Sequence, residues 1–196
     1  MKFGGTSVAD VDRIRAVRDI ISDEIKDGWN VVAVVSAMSK ETNKLIDLAK
    51  QVGVENLVDP EYDSLISTGE DVSSSLLAIA LNSIEISSRS WRGWQIPIRT
   101  DSFHSNAKIE EINTNQIINS FKEGVKVAVV SGFQGIEQAG RITTLGRGGS
   151  DTSAVAIAAA IDAKRCDIYT DVSGIYTTDP RIKRNASKLK KISFEE

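Results

Sequence analysis

The two side chains that most often carry redox and proton-transfer chemistry are nearly missing from this 196-residue chain, which has one cysteine and one histidine. A single cysteine, Cys166, excludes an internal disulfide framework. It stands between Arg165 and Asp167, ahead of an Ile-Tyr pair and with no histidine near in sequence, so it reads as a structural thiol rather than a nucleophile. With His104 alone, a Ser–His pair or a histidine-rich metal site has little support. No apolar run approaches the ~18 residues of a membrane span, and no segment reads as a signal peptide, which makes the cytoplasm the expected location. Charge of one sign is lacking too. Lys and Arg number 24 against 27 Asp and Glu, for a net charge of -3, so there is no electrostatic reason to expect nucleic acid or an anionic membrane as partner. The one basic cluster, Arg181 to Lys191, reads as a solvated segment.

What is present is a regular alternation of helical and extended patterns. Asp10 to Asp27 is amphipathic, with Val11, Ile14, Val17, Ile21 and Ile25 at three- and four-residue spacing, and Asp10 suits the N-cap. Val31 to Val35 is a continuous apolar run, as expected of a strand buried on both faces. Further helices are predicted over Thr42 to Val52, Asp71 to Leu81, Asn113 to Glu123 and Thr152 to Ala163. Extended segments are predicted over Ile96 to Arg99, Val125 to Val130 and Asp167 to Thr170. Gln51 to Ser67 carries the weakest structural signal and reads as a surface excursion. The alternation predicts a three-layer αβα sandwich with a mainly parallel central sheet, in which ligands gather at the carboxyl ends of the strands. The length suits one domain, or one lobe of something larger.

Five segments could carry chemistry. The most informative is Leu145-Gly146-Arg147-Gly148-Gly149-Ser150-Asp151, a glycine-rich loop opening a helix. Such a loop lets backbone approach an anion, and free helix N–H groups favour it. Arg147 and Asp151 add one charge of each sign, which suits an amino acid held beside a phosphate. Lys2-Phe3-Gly4-Gly5-Thr6-Ser7 is either a phosphate-contacting turn or a simple glycine turn after a short strand. Ser36 to Thr42 follows a buried strand, so its hydroxyls face either a ligand or a helix cap, Ser39 or Thr42 being the capping candidates. Ser67-Thr68-Gly69-Glu70 reads as the start of a helix, with Glu70 either a capping carboxylate or the anion that meets an ammonium group. Thr170 to Arg181 combines Tyr176, a flat face for a base, with Arg181, a charge for phosphate.

Taken together, K-F-G-G-T-S-V, V-V-S-A-M-x-x-x-T-N-x-L, S-T-G-E, S-N-A-K-I, G-F-Q-G, L-G-R-G-G-S-D-T and Y-T-D-V-x-G-I-Y-T-T-D-P-R resemble the kinase domain of aspartokinases. These enzymes have the amino-acid kinase fold and phosphorylate the β-carboxylate of L-aspartate with MgATP. The motifs run from residue 2 to residue 181. The resemblance implies Lys2 and Asp151 as catalytic residues, Lys2 on the transferring phosphoryl group and Asp151 orienting Lys2. It implies aspartate binding by Ser36, Thr42, Glu70, Arg147, Gly148, Gly149 and Ser150. Arg147 would grip the α-carboxylate and Glu70 the ammonium. It implies ATP binding by Lys2, Gly4, Gly5, Ser36, Thr170, Asp171, Tyr176, Thr177, Thr178, Asp179, Pro180 and Arg181. The expected product is 4-phospho-L-aspartate, which enters lysine, threonine and methionine synthesis; ATP and Mg2+ are the expected co-substrate and ion. No resident protein-bound metal is expected.

Only Met1 precedes Lys2, so the first strand is expected to be almost absent. The family continues beyond this length into paired ACT regulatory domains, so the chain is expected to be an incomplete catalytic domain without them. Relatives dimerise partly through those domains, so a homodimer is compatible with the resemblance. Ile96-Pro97 and Arg92 depart from the family pattern and read as a surface difference. Two alternatives stand beside aspartate kinase activity. One is a catalytically weak ATP- and aspartate-binding fragment. The other is a different amino-acid kinase, acting on glutamate or acetylglutamate.

Overall fold

The computed structural model describes residues 1–53, 58–171, 174, 177–178, 182–183 and 185–189. Its centre is a five-stranded sheet built from β1 (Lys2–Phe3), β2 (Val31–Val35), β3 (Ser88–Trp91), β6 (Val127–Ser131) and β9 (Ile168–Tyr169), in the order β3-β6-β2-β1-β9. Every pairing in it is parallel. Parallel strands need both faces covered, and the apolar runs of β2 and β6 supply that. Val31, Ala33, Val35, Val127 and Val129 point to one face, where they meet α1 (Val11–Lys26) and α3 (Pro60–Asn82). Val34, Ala128 and Val130 point to the other, against Ile117 of α4 (Asn115–Lys122) and Ala154 and Ile157 of α5 (Gly149–Ala160). The predicted three-layer sandwich is therefore present, with one apolar core on each side of the sheet.

The first strand is two residues long yet sits inside the sheet. Lys2 pairs with Val34 on one side and Ile168 on the other. The Met1 amine donates to the Val32 carbonyl at 2.8 Å, the Lys2 amide to Asp167 at 2.7 Å, and Phe3 stacks on Tyr169 with ring centroids 4.7 Å apart. Ladder bonds to two neighbours hold a segment too short to stand alone.

Several expectations are corrected. The 51–67 segment is not a surface excursion throughout: α3 begins at Pro60, with Asp59 accepting from the Glu61 amide as N-cap. Ser67 to Glu70 consequently lies inside a helix, not at its start, and Glu70 gains nothing from a first-turn dipole. Neither Ser39 nor Thr42 caps α2 (Glu41–Gln51), whose N-cap is Lys40 in the left-handed region at φ 67° without a side-chain bond. Asp10 does cap α1, accepting from the Arg13 amide at 2.9 Å. Ile96 and Arg92 are no surface variation: Ile96 is fully buried and Arg92 pairs with Asp71 at 3.0 Å. Cys166 is exposed rather than packed as a structural thiol.

A second sheet had no counterpart among the predicted elements beyond the stretch 96–99. It joins β5 (Ile109–Ile112), β4 (Ile98–Thr100), β7 (Gln134–Ile136) and β8 (Ile142–Thr144) in that order, with antiparallel pairs at both ends. Its two central strands lie so close that a Cβ on Gly135 would fall 2.5 Å from Thr100 Cγ2 and 2.8 Å from the Ile98 carbonyl oxygen. Among the described residues no helix is long and apolar enough to cross a membrane.

Candidate active site

The parallel sheet puts the carboxyl ends of β9, β1 and β2 side by side, and a cavity of about 730 Å³ opens there. Parallel sheets bind ligands at this end because loops diverge from the strand tips toward opposite faces. Gly4 and Gly5 follow β1, Ser36 follows β2, and Thr170 and Asp171 follow β9; all five line the cavity. Gly5 passes close to the loop after β2: a Cβ there would lie 3.1 Å from the Ala37 carbonyl oxygen.

The opposite wall comes from the loop after β8 and the start of α5. Gly146 and Gly148 adopt φ of 71° and 75°, a left-handed geometry that glycine enters without steric cost. Two such turns bracket Arg147, which is exposed at the cavity rim. α5 starts at Gly149, three residues earlier than predicted, so Ser150 and Asp151 stand in its first turn. The Gly149 amide donates to Gly146 and the Asp151 amide to Gly148, so these N–H groups are committed within the loop rather than free for an anion.

Two charged features dominate. Lys2 reaches Asp151 with Nζ–Oδ1 at 2.6 Å, the lysine side chain being 9% exposed and the aspartate half exposed. A lysine beside an acceptor in its own cavity wall is held in one direction while its remaining donors stay available. The second is Glu70, only 4% exposed. Its Oε1 accepts from the Ala37 amide at 3.0 Å, while Oε2 is buried without a hydrogen-bond partner among the described residues. Burial pushes its pKa from 4.5 up to about 8, outweighing the opposing backbone hydrogen bonds, with neighbouring Asp71 adding a smaller upward push. A buried acceptor facing a cavity without a donor is a place for a ligand's N–H group.

The cavity thus gathers Lys2, Gly4, Gly5, Ser36, Thr42, Glu70, Arg147, Gly148, Gly149, Ser150, Asp151, Thr170 and Asp171. Thr177 and Thr178 are exposed and do not line it. Tyr176, Asp179, Pro180 and Arg181 lie outside the described residues. Tyr62, Ile66, Ser105, Phe133 and Thr144 also line the cavity and were not singled out from the sequence. The G-F-Q-G motif was the available signal for Phe133, whose φ of 69° is unusual for a residue with a side chain.

A family model described as "Amino acid kinase family" matches residues 1–196. The chain belongs to that family. Among curated relatives it is 53% identical over 195 residues to the aspartokinase of Bacillus sp. (strain MGA3), covering 100% of this chain and 47% of that protein. It is 52% identical to the aspartate kinase Ask_LysC of Stutzerimonas stutzeri, again across 100% of this chain and 47% of that one. The chain therefore spans about half the length of the curated relatives it matches. Among solved structures, aspartate kinase from Synechocystis superposes with a TM-score of 0.79 at 46% identity, over 95% of this chain and 30% of that one. E. coli aspartokinase III in complex with aspartate and ADP superposes with a TM-score of 0.82 at 29% identity, over 96% and 52%.

Proposed function

We propose that this chain carries the catalytic machinery of an aspartokinase and transfers the γ-phosphoryl group of ATP to the β-carboxylate of L-aspartate, giving 4-phospho-L-aspartate and ADP. The observation that carries this reading is one cavity holding Lys2 paired to Asp151, Glu70 with an unpartnered oxygen, and Arg147 at the rim. The similarity to aspartokinases supports it, one of which is described with aspartate and ADP.

The roles follow from the chemistry. A free β-carboxylate has a pKa of about 3.9, so it is already the nucleophile near neutral pH and no general base is required. One carboxylate oxygen bonds to the γ-phosphorus as the bond to the bridging oxygen breaks, and ADP leaves with that electron pair. Charge spreads over the phosphoryl oxygens in the transition state, where a positioned cation acts most strongly. Lys2 is that cation and Asp151 keeps it aimed. Gly4 and Gly5 admit the phosphates against the backbone. Arg147 takes the α-carboxylate in a two-pronged geometry that a lysine cannot reproduce, and Glu70 takes the ammonium. Ser36, Thr42 and the Gly148-Gly149-Ser150 backbone border the amino-acid side. Thr170 and Asp171 take the nucleotide side.

Magnesium would enter with the nucleotide. Mg2+ usually takes one or two carboxylates plus substrate phosphates and water; Asp151 and Asp171 line the cavity near Lys2, Gly4 and Gly5 and would hold it. When bound, the ion would offset phosphate charge. The test is ADP release over a panel of amino acids, with hydroxylamine trapping of the acyl phosphate. Aspartate-dependent release with hydroxamate formation is expected. Turnover of glutamate or its derivatives in place of aspartate would overturn the substrate assignment, and aspartate and ADP binding without turnover would make the chain a binding module.

A further inference from the structure

Ser105-Asn106-Ala107-Lys108-Ile109 and the carboxylate of Asp63 have no role in the chemistry above, yet they meet. Asp63 lies on α3 seven residues before Glu70, two helical turns along the same face. It is 0% exposed, and a carboxylate without water requires protein donors. They come from two other segments. From the loop between β4 and β5, His104 Nδ1 lies 2.9 Å away, the Ser105 amide donates at 2.9 Å and the Ser105 hydroxyl at 3.2 Å. From the end of β8, Thr144 donates through its amide at 3.0 Å and its hydroxyl at 2.7 Å.

These bonds pass directly to the arginine loop. Thr144 stands three residues before Arg147. The Ala107 amide donates to the Thr144 carbonyl at 2.9 Å. Gly146 sits against the 105–106 segment: a Cβ there would lie 2.7 Å from the Asn106 side-chain Oδ1 and 3.3 Å from the Ser105 carbonyl oxygen. The arginine loop is thus clamped to the 103–107 loop, and both are clamped to α3 through one carboxylate.

We infer that Asp63 is a positioning residue for Arg147: it ties the arginine loop to the same rigid helix that carries Glu70 and so sets the spacing between the two charges that hold the substrate. An α-amino acid presents its carboxylate and ammonium at a fixed separation. Recognising both at once requires that Arg147 and Glu70 keep a fixed separation too. The bonds within the arginine loop run from Gly149 to Gly146 and from Asp151 to Gly148 and do not reach α3, whereas the Thr144 bonds to Asp63 do. The consequence is selective: Asp63 acts on amino-acid binding more than on the phosphate end, because the backbone that leads into Gly4 and Gly5 is held by the pairing of β1 with β2 and β9.

This inference rests on the aspartate reading above, and its test separates the two. The full chain and its Asp63→Asn and Thr144→Val variants are titrated calorimetrically with aspartate and, separately, with ADP and magnesium. Amide hydrogen exchange is followed in the unliganded proteins. Asp63→Asn is expected to weaken aspartate binding about tenfold while ADP affinity stays within about twofold. Exchange should accelerate at 103–108 and 143–149 and remain unchanged at 2–5 and 36–40. Thr144→Val, which removes one donor, shifts both readouts in the same direction by less, and it decides the matter if Asp63→Asn does not fold. Unchanged exchange at 143–149 overturns the inference, as does an equal loss of aspartate and ADP affinity, the mark of general destabilisation. If the parent chain binds ADP but no aspartate, the substrate reading falls, and the exchange data alone then decide whether Asp63 holds the arginine loop.

Discussion

Glu70 makes the binding of an ammonium ligand pH-dependent by an amount that can be worked out. Burial lifts its pKa from 4.5 to about 8, a gap of about 3.5 units, and each unit corresponds to about 1.36 kcal/mol. Between those two values the folded chain holds a proton that the unfolded chain lacks, so stability falls as pH rises. The contribution is fully present below pH 4.5 and is lost as pH passes through about 8, up to about 4–5 kcal/mol in all. An ammonium group placed at the unpartnered Oε2 reverses the preference, because the carboxylate gains a charged donor. On the proposed reading, binding of aspartate is therefore expected to release a proton. With a pKa of about 8, roughly one site in a hundred is ionised at pH 6 and roughly one in ten at pH 7. Aspartate affinity should then rise about tenfold from pH 6 to 7 and about fivefold more by pH 8. Calorimetry in buffers of different ionisation enthalpy counts the proton, and Glu70→Gln should abolish both the release and the pH slope. A dissociation constant that is flat from pH 6 to 8, with no proton released by the parent chain, would refute this account of Glu70.

Three further outcomes follow from the same geometry. Lys2→Met removes the cation aimed by Asp151, and aspartate-dependent ADP release should fall about 10²–10³-fold while calorimetry still shows ADP bound. Arg147→Lys keeps the charge but not the paired geometry, and should raise the KM for aspartate about tenfold or more with little change in the KM for ATP. Gly135→Ala forces a methyl group to within 2.5 Å of Thr100 Cγ2, and should destabilise the chain by about 1–3 kcal/mol in chemical denaturation without altering the residues of the cavity.

The sequence by itself determined what depends on near neighbours along the chain. The period of Ile14, Val17 and Ile21 made α1 legible, and Asp10 marked its start. The unbroken apolar runs at β2 and β6 read as strands covered on both faces, which led to the parallel sheet and to ligands at its carboxyl end. The glycines around Arg147 announced a loop of unusual backbone shape, and the observed positive φ values at Gly146 and Gly148 are that shape. The second sheet stayed hidden because its strands run only three or four residues, too short for alternation to show. The first half of α3 stayed hidden because it buries Asp63, Ser67 and Glu70 where a helix of this length is expected to bury apolar groups. A polar residue facing inward carries no periodic signal; only its partners explain it, and those partners are remote. His104, Ser105 and Thr144 on Asp63, Ala37 on Glu70, and Asp151 on Lys2 are all brought together by packing. Local spacing and the resemblance therefore offered the charged residues that line the cavity as candidates, whereas the tertiary structure decided how far apart they stand, in which direction each faces and, through burial, how Glu70 holds its proton.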